Sequence, residues 1–250
     1  MSPSVCTRCV FDLHSGSVRT LPGLQGRQER GFSHLAASPA ADVLALVAES
    51  GAIHLVSATS KQLIATLQAG GGGGRFATQA IRFTPDGRFL LSASDGPTVR
   101  VWDVRRRCCA HTFQDRGGLR TTSLAASPDG ELVATGSDSG AVNLYRTAEV
   151  LSAARPPAIK EFLNLTSAVT TLEFNPSSEA IAFSSRYGKR AMRVAHIGSR
   201  SVFSNWPTAK SPLNYVQCAA FSPTGAHMAI GTDQGKVLLY QWNHYANARV

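Results

Sequence analysis

The fold is decided by the stretch AIRFTPDGRFLLSASDGPTVRVWD, residues 80–103. An apolar strand pattern opens it and leads into a turn, where Pro85 sets φ and Gly87 supplies the positive φ. Residues 89–93 form a nearly continuous apolar run, typical of a strand buried on both faces. An alternating run then ends in a Trp-Asp pair, and Cys108 to Phe113 supplies a further strand. The stretch and its continuation therefore predict four short antiparallel strands.

The same pattern recurs along the chain. A Ser/Thr/Asn-Pro step returns at spacings of 46, 43, 48 and 47 residues. A glycine follows each proline after about twelve residues, and each glycine precedes a short alternating run. Coincident periods of this length indicate a repeat architecture. The prolines are Pro39, Pro85, Pro128, Pro176 and Pro223, and the glycines are Gly51, Gly96, Gly140, Gly188 and Gly235.

Each repeat resembles a blade of a WD-repeat β-propeller, which has four short strands and ends in Trp-Asp. Only Trp102-Asp103 keeps that dipeptide, and no repeat opens with Gly-His. The turn aspartate is present as Asp95, Asp138 and Asp233 but is missing from two repeats. We therefore expect an all-β propeller in which the hydrogen bonds that stabilise each blade are partly degraded.

The strand count predicts an incomplete ring. Val5 to Asp12 and Ser17 to Leu21 are two strands, four complete blades follow, and the last repeat has three strands, which makes 21 in all. A seven-bladed ring has about 28 strands, so we hypothesise a seven-bladed propeller truncated at its N-terminal side. The predicted segments are the end of a truncated blade (1–24), five repeats (32–68, 78–113, 121–163, 167–205 and 216–242) and a tail (243–250).

The composition excludes several classes of protein. With 43% hydrophobic and 16% charged residues, the chain is not wholly disordered. No apolar run approaches the length of a transmembrane helix, and the first residues do not resemble a secretory signal. Five cysteines, odd in number and irregularly spaced, suggest a reducing intracellular compartment rather than a disulfide framework.

The charge balance permits acidic partners. The chain carries a formal net charge of +9, and 20 of its 25 basic residues are arginine. Arginine presents a planar fork suited to phosphate and carboxylate. A genome rich in G and C would produce the same excess of arginine over lysine. The charge is therefore compatible with nucleic acid or an acidic protein and specifies neither.

The motifs do not point to catalysis, a metal or a cofactor. The glycine run 70–74 lacks the Lys-Ser/Thr of a phosphate-binding loop, so we interpret it as a flexible hairpin tip. Cys6 and Cys9 have the spacing of half a zinc site, but no second Cys/His pair matches them. The segment 136–140 places Asp138 where the serine of a nucleophile elbow would stand. We predict a non-enzymatic protein without a cofactor, metal, membrane partner or small-molecule substrate.

Two basic clusters are candidate RNA or partner contacts. Arg105, Arg106 and Arg107 follow the strand that contains Trp102, and a second cluster surrounds a turn in the repeat of Pro176. Each phosphate neutralised by such a residue adds salt-dependent affinity. The alternative is that both are solvated loops, and no aromatic platform for stacking bases is evident. The second cluster is Arg186, Lys189, Arg190 and Arg193.

The C-terminal third is more specific than a generic WD pattern. It contains the blocks Asn164-Leu165, Val169-Thr170, Leu172, Phe174-Asn175-Pro176, Val202-Phe203-Ser204-Asn205, Phe221-Ser222-Pro223, Gly235-Lys236 and His244-Tyr245. These blocks resemble one family, the eighteenth of the U3 small nucleolar RNA-associated propeller proteins. The similarity continues weakly through Val101–Val104 and Gly136–Asn143.

The resemblance implies a non-catalytic scaffold in the UTP-B subcomplex of the small-subunit processome. It also implies a location in the nucleus, within the nucleolus. Its implied partners are other WD-repeat and helical-repeat proteins of that subcomplex, with precursor 18S ribosomal RNA and a small nucleolar ribonucleoprotein contacted directly or indirectly. The alternative is a generic WD adaptor, such as a substrate receptor of a ubiquitin ligase. Such receptors often carry a Trp-Asp-x-Arg step, which Trp102-Asp103-Val104-Arg105 matches once.

Overall fold

The computed structural model describes residues 9–11, 15–20, 31–40, 42–68, 78–208 and 210–242, and the regular secondary structure of this part of the chain consists almost entirely of β-strands. Its one helix is the short α1 (Thr147–Val150), and none is long and apolar enough to cross a membrane. The strands are β1 (Cys9–Phe11), β2 (Val18–Thr20), β3 (Phe32–Ala37), β4 (Val43–Ala48), β5 (Ile53–Ser57), β6 (Leu63–Leu67), β7 (Ala80–Phe83), β8 (Phe89–Ala93), β9 (Thr98–Asp103), β10 (Cys108–Gln114), β11 (Thr121–Ala126), β12 (Leu132–Ser137), β13 (Val142–Arg146), β14 (Lys160–Phe162), β15 (Thr171–Phe174), β16 (Ala180–Ser184), β17 (Met192–His196), β18 (Ser201–Val202), β19 (Val216–Phe221), β20 (His227–Thr232) and β21 (Val237–Gln241).

The strands form antiparallel sheets in which sequential strands are neighbours. A two-stranded sheet of β1 and β2 is followed by β3–β6, β7–β10, β11–β14, β15–β18 and the three-stranded β19–β21. We call these last five sheets blades one to five. The first strand of each blade packs against the first strand of the next, from β3 to β19. This arrangement is a β-propeller, which confirms the predicted fold class, and the described strands number 21 as expected.

The recurrent proline step builds the turn between the first two strands of a blade. In blade two, the Oγ1 of Thr84 accepts a hydrogen bond from the backbone N–H of Phe89 at 3.1 Å and donates one to Asp86. Gly87 has a φ of +66°, which a glycine adopts without steric cost. Ser127 makes the same pair of contacts in blade three. The residue before each proline is therefore polar because it closes the turn.

The core lies between adjacent blades, and Trp102 is central to the contact between blades one and two. Its side chain is buried among aliphatic residues of both blades, and its Nε1 donates a hydrogen bond to the Oγ of Ser92 at 2.8 Å. Trp102 lies opposite Leu90 on the neighbouring strand. Tyr145 lies opposite Val133 in the same way, so it occupies the equivalent position in blade three.

Blade three uses a different polar network at that position, centred on the buried carboxylate of Asp115. The Oδ1 atom accepts hydrogen bonds from Thr135 Oγ1 at 2.7 Å, Asn143 Nδ2 at 3.0 Å and Tyr145 OH at 2.7 Å. The Oδ2 atom accepts one from Thr121 Oγ1 at 3.1 Å. The expectation of a partly degraded hydrogen-bond set therefore needs refinement, because Trp102 keeps its serine partner and Asp115 organises the next blade.

Among the described residues, an ion pair joins two blades that are not neighbours. Arg82 on β7 and Glu173 on β15 approach to 2.5 Å between Nη2 and Oε2, and each side chain is about one third exposed. Blade three lies between these two strands in the order of the blades. The two side chains therefore meet across the space that the first strands enclose.

Burial in this network makes the stability of the fold sensitive to alkaline pH. Desolvation, reinforced by the charge of Asp115, raises the pKa of Tyr145 well above its ordinary value near 10. The unfolded chain releases that proton first, so the stabilisation is complete below pH 10 and is lost as the pH rises. The wild-type free energy of unfolding should fall relative to that of Tyr145→Phe by about 1.4 kcal/mol per pH unit above pH 10.

Urea unfolding of the wild type and of Tyr145→Phe at several values between about pH 9 and pH 11 measures this difference. The two proteins differ at this one side chain, so the difference between their stabilities isolates Tyr145. Parallel curves of stability against pH would contradict the assignment.

Candidate functional site

The first basic cluster lies in the turn between β9 and β10, and Asp103 shapes it. The Oδ1 of the buried Asp103 accepts hydrogen bonds from the backbone N–H groups of Arg105 at 3.0 Å and Arg106 at 2.9 Å. The backbone N–H of Arg107 donates to the carbonyl of Asp103 at 2.8 Å, with a φ of +57°. All three arginines are exposed. The aspartate of the Trp-Asp-x-Arg step is therefore engaged inside its own turn, where its Oδ2 also pairs with the Nε of Arg106 at 3.9 Å.

The second basic cluster lies around the turn between β16 and β17, and its members differ in what they contact. Arg190 Nη2 donates to the carbonyl of Thr208 at 2.8 Å, and Arg193 Nη1 donates to the carbonyl of Met192 at 2.7 Å. These two arginines therefore bind backbone carbonyls of the protein. Arg186 and Lys189 are exposed, and neither forms an ion pair with any described residue.

Two tyrosines accompany this cluster. The guanidinium carbon of Arg186 lies 5.1 Å from the ring centroid of Tyr187, and its Nη2 donates to the tyrosine hydroxyl at 3.0 Å. Tyr187 is 61% exposed and Tyr215 is 40% exposed. The backbone N–H of Arg190 donates to the carbonyl of the residue before Tyr215, which brings the two loops together. We call Arg186, Tyr187, Lys189 and Tyr215 the tyrosine patch.

Sequence reasoning missed the aromatic part of this patch. Tyr187 was adjacent to the basic residues in the sequence, but Tyr215 belongs to a different loop, between β18 and β19. Exposed aromatic rings beside cations provide a surface on which nucleic-acid bases can stack. The only available signal was the Arg186-Tyr187 pair itself, because the spatial approach of the second loop depends on the neighbouring blade.

The structure places the two basic clusters at opposite ends of their blades. Arg105–Arg107 follow the third strand of blade two, whereas the tyrosine patch includes the turn after the second strand of blade four. Successive strands in each blade are antiparallel, so these two types of turn lie at opposite edges of the sheet. The candidate contacts therefore do not form one continuous site.

The remaining motifs do not assemble into a reactive centre in the described residues. No group of three or more His, Cys, Asp or Glu residues there has the geometry of a metal site. Cys108 and Cys109 are exposed free thiols, and partial desolvation of the Cys109 sulfur raises the pKa of that thiol. The Asp138 segment forms the turn between β12 and β13. Cys6 and the glycine run lie outside the described residues.

A groove between blades three and four is the larger of two similar clefts. Its volume is about 410 Å³, and it is lined by Glu131, Leu132, Leu144, Arg146, Ile159, Ile197, Gly198 and Arg200. The other lies between blades one and two, has a volume of about 220 Å³ and includes Arg88, Arg105 and Arg107. Each combines an aliphatic floor with arginines at its rim.

Comparison with known proteins is consistent with this architecture. The family described as "WD domain, G-beta repeat" matches residues 73–103 and 107–146 of the chain. Proteins named U3 small nucleolar RNA-associated protein 18 homolog are similar over 95% of this chain, with 37% identity in Arabidopsis thaliana, 37% in Mus musculus and 34% in Homo sapiens. The chain spans 42% of the length of each of these relatives.

A solved structure shares the fold. A chain from a crystal structure of the mitotic checkpoint complex superposes with a TM-score of 0.70 at 16% sequence identity. The superposition covers 95% of this chain and 69% of the other. Similarity at this level of identity establishes the propeller fold alone.

Proposed function

The chain belongs to the U3 small nucleolar RNA-associated protein 18 family of WD-repeat propellers, and on that premise we propose that it is a non-catalytic scaffold of the small-subunit processome. In this role it works in the nucleolus during processing of the precursor of 18S ribosomal RNA and biogenesis of the small ribosomal subunit. Within the processome we assign it to the UTP-B subcomplex. The observation that carries the proposal is the similarity to these relatives at 34–37% identity over 95% of the chain.

The surface of the molecule supports a scaffold that works near RNA. The guanidinium group of Arg186 lies beside the exposed ring of Tyr187, and Lys189 is exposed in the same turn, so a single strand has both phosphate and base contacts available. The turn that contains Arg105, Arg106 and Arg107 is a second positively charged surface, at the opposite edge of the blades. We assign direct RNA contact to the tyrosine patch rather than to Arg190 and Arg193, whose guanidinium groups donate to backbone carbonyls.

Affinity purification of the tagged chain from cells tests this function. Wild-type protein should recover U3 small nucleolar RNA, precursor ribosomal RNA and other WD-repeat proteins of the processome. After cross-linking, Arg186→Glu combined with Lys189→Glu should lower the recovered RNA by about tenfold, because two phosphate contacts become repulsive.

The matched control is Arg155→Glu combined with Lys160→Glu, two exposed residues outside both basic clusters, which changes the net charge equally. This control should retain the cross-linked RNA. Recovery of cullin-ligase subunits without RNA would overturn the scaffold proposal and favour the ubiquitin-ligase adaptor. If processome proteins are recovered and the cross-links are unchanged in the Arg186/Lys189 variant, the direct RNA contact is wrong but the scaffold role stands.

A further inference from the structure

The groove between blades three and four has an aliphatic floor that is partly exposed to water. Leu132, Ile159 and Ile197 are each only partly buried, and Leu144 beneath them is fully buried. Removal of such apolar surface from water by a partner lowers the free energy of the system and so favours binding. No aromatic ring lines the groove, so it offers no surface for stacking a nucleic-acid base.

Two arginines stand at the rim of this floor. Arg146 is the last residue of β13, and Arg200 ends the turn between β17 and β18. Both are exposed, and neither guanidinium group forms an ion pair or hydrogen bond with a described residue. Both forks are therefore available for a carboxylate, the group that arginine binds in bidentate fashion.

The smaller groove repeats this design with different residues. Val43, Leu55, Ile64 and Val104 form its floor, and Arg88, Arg105 and Arg107 stand at its rim. Arg107 and Arg200 take equivalent places in their turns, as the fourth residue between the third and fourth strands, each with a positive φ. The combination of aliphatic floor and arginine rim is thus a property of this face of the propeller.

We propose that the groove between blades three and four binds an acidic segment of a partner protein, one whose aliphatic side chain enters the floor while its carboxylates meet Arg146 and Arg200. A second copy of this chain is disfavoured, because the chain has 25 Lys and Arg against 16 Asp and Glu. RNA is disfavoured by the aliphatic lining, which provides no aromatic ring on which a base could stack. The inference names a protein-binding surface and goes beyond the proposed function.

Peptide display on the full chain tests the proposal. A library of random dodecapeptides is selected against wild-type protein and, in parallel, against Arg146→Glu combined with Arg200→Glu. Peptides enriched on the wild type alone should carry Leu, Ile or Val among Asp and Glu. The fluorescein-labelled leading peptide should bind the double variant about tenfold more weakly, because two charge-assisted contacts become repulsive.

Three controls make the outcome decisive. Arg186→Glu with Lys189→Glu has the same net charge as the test variant and should bind the peptide like the wild type. Ile159→Ser removes part of the floor without altering charge and should also weaken binding. Thermal unfolding should be unchanged in the Arg146/Arg200 variant, since both side chains are exposed. The proposal is wrong if selection yields no peptide that binds the wild type more tightly than the Arg146/Arg200 variant. It is also wrong if the Arg146/Arg200 variant loses binding of labelled decauridylate but keeps binding of the peptide.

Discussion

Replacement of Asp115 by alanine is expected to lower the free energy of unfolding by about 3 to 5 kcal/mol. The carboxylate accepts hydrogen bonds from four side chains, three of them through Oδ1. Removing it leaves buried donors without an acceptor, and each such group costs about 1 to 3 kcal/mol. The sum is partly offset because the side chains can rearrange or admit water. Urea unfolding followed by circular dichroism measures the loss.

A matched aspartate separates this network from ordinary turn chemistry. Asp233 is exposed, and the contact of its carboxylate is with the backbone N–H of Tyr215 at 3.3 Å. Asp233→Ala should therefore change stability by less than about 1 kcal/mol. Equal losses in the two variants would show that Asp115 has no special role. A loss in Asp115→Asn close to that in Asp115→Ala would show that the two charged acceptor oxygens, rather than the size of the group, matter.

The second large effect is expected at Trp102, where alanine should cost about 3 to 5 kcal/mol. The indole is 4% exposed and packs among residues from both blades one and two, so its removal leaves a cavity at their contact. The loss should appear in denaturant unfolding as a lower midpoint.

The variant Trp102→Phe separates the contribution of apolar packing from that of the hydrogen bond to Ser92. Phenylalanine keeps most of the apolar volume but cannot donate to Ser92, so it should cost about 1 to 2 kcal/mol less than alanine. Ser92→Ala reports the hydrogen bond from the other side and should cost about 1 kcal/mol. If Trp102→Ala were no worse than Ser92→Ala, the indole would not hold the two blades together.

The sequence predicted the strands well because turn chemistry recurs in it. The expected strands at 80–83, 89–93 and 98–103 coincide with β7, β8 and β9. The register of each pair is set by short turns whose Gly and Ser/Thr-Pro residues are visible without a structure. The ring of seven blades stays a prediction.

The sites were less predictable, because they depend on contacts between residues far apart in the chain. The two basic clusters were visible as runs of charge, but the engagement of Arg190 and Arg193 with carbonyls was not. Asp115 gave no signal, since it stands outside the repeated motif and its partners come from three other strands or strand ends. The same applies to the arginine-rimmed groove, whose two arginines are 54 positions apart, at 146 and 200.

The ion pair between Arg82 and Glu173 has a consequence for the order of folding. Contacts within a blade and between neighbouring blades join residues close in sequence, so they close short loops and can form early. The two partners of this pair are 91 residues apart, and the whole of blade three lies between them in the chain. They can meet only after three blades have docked with the correct curvature. The pair therefore forms only after blades two, three and four have docked, and it contributes to slowing the separation of these blades rather than to nucleating their folding.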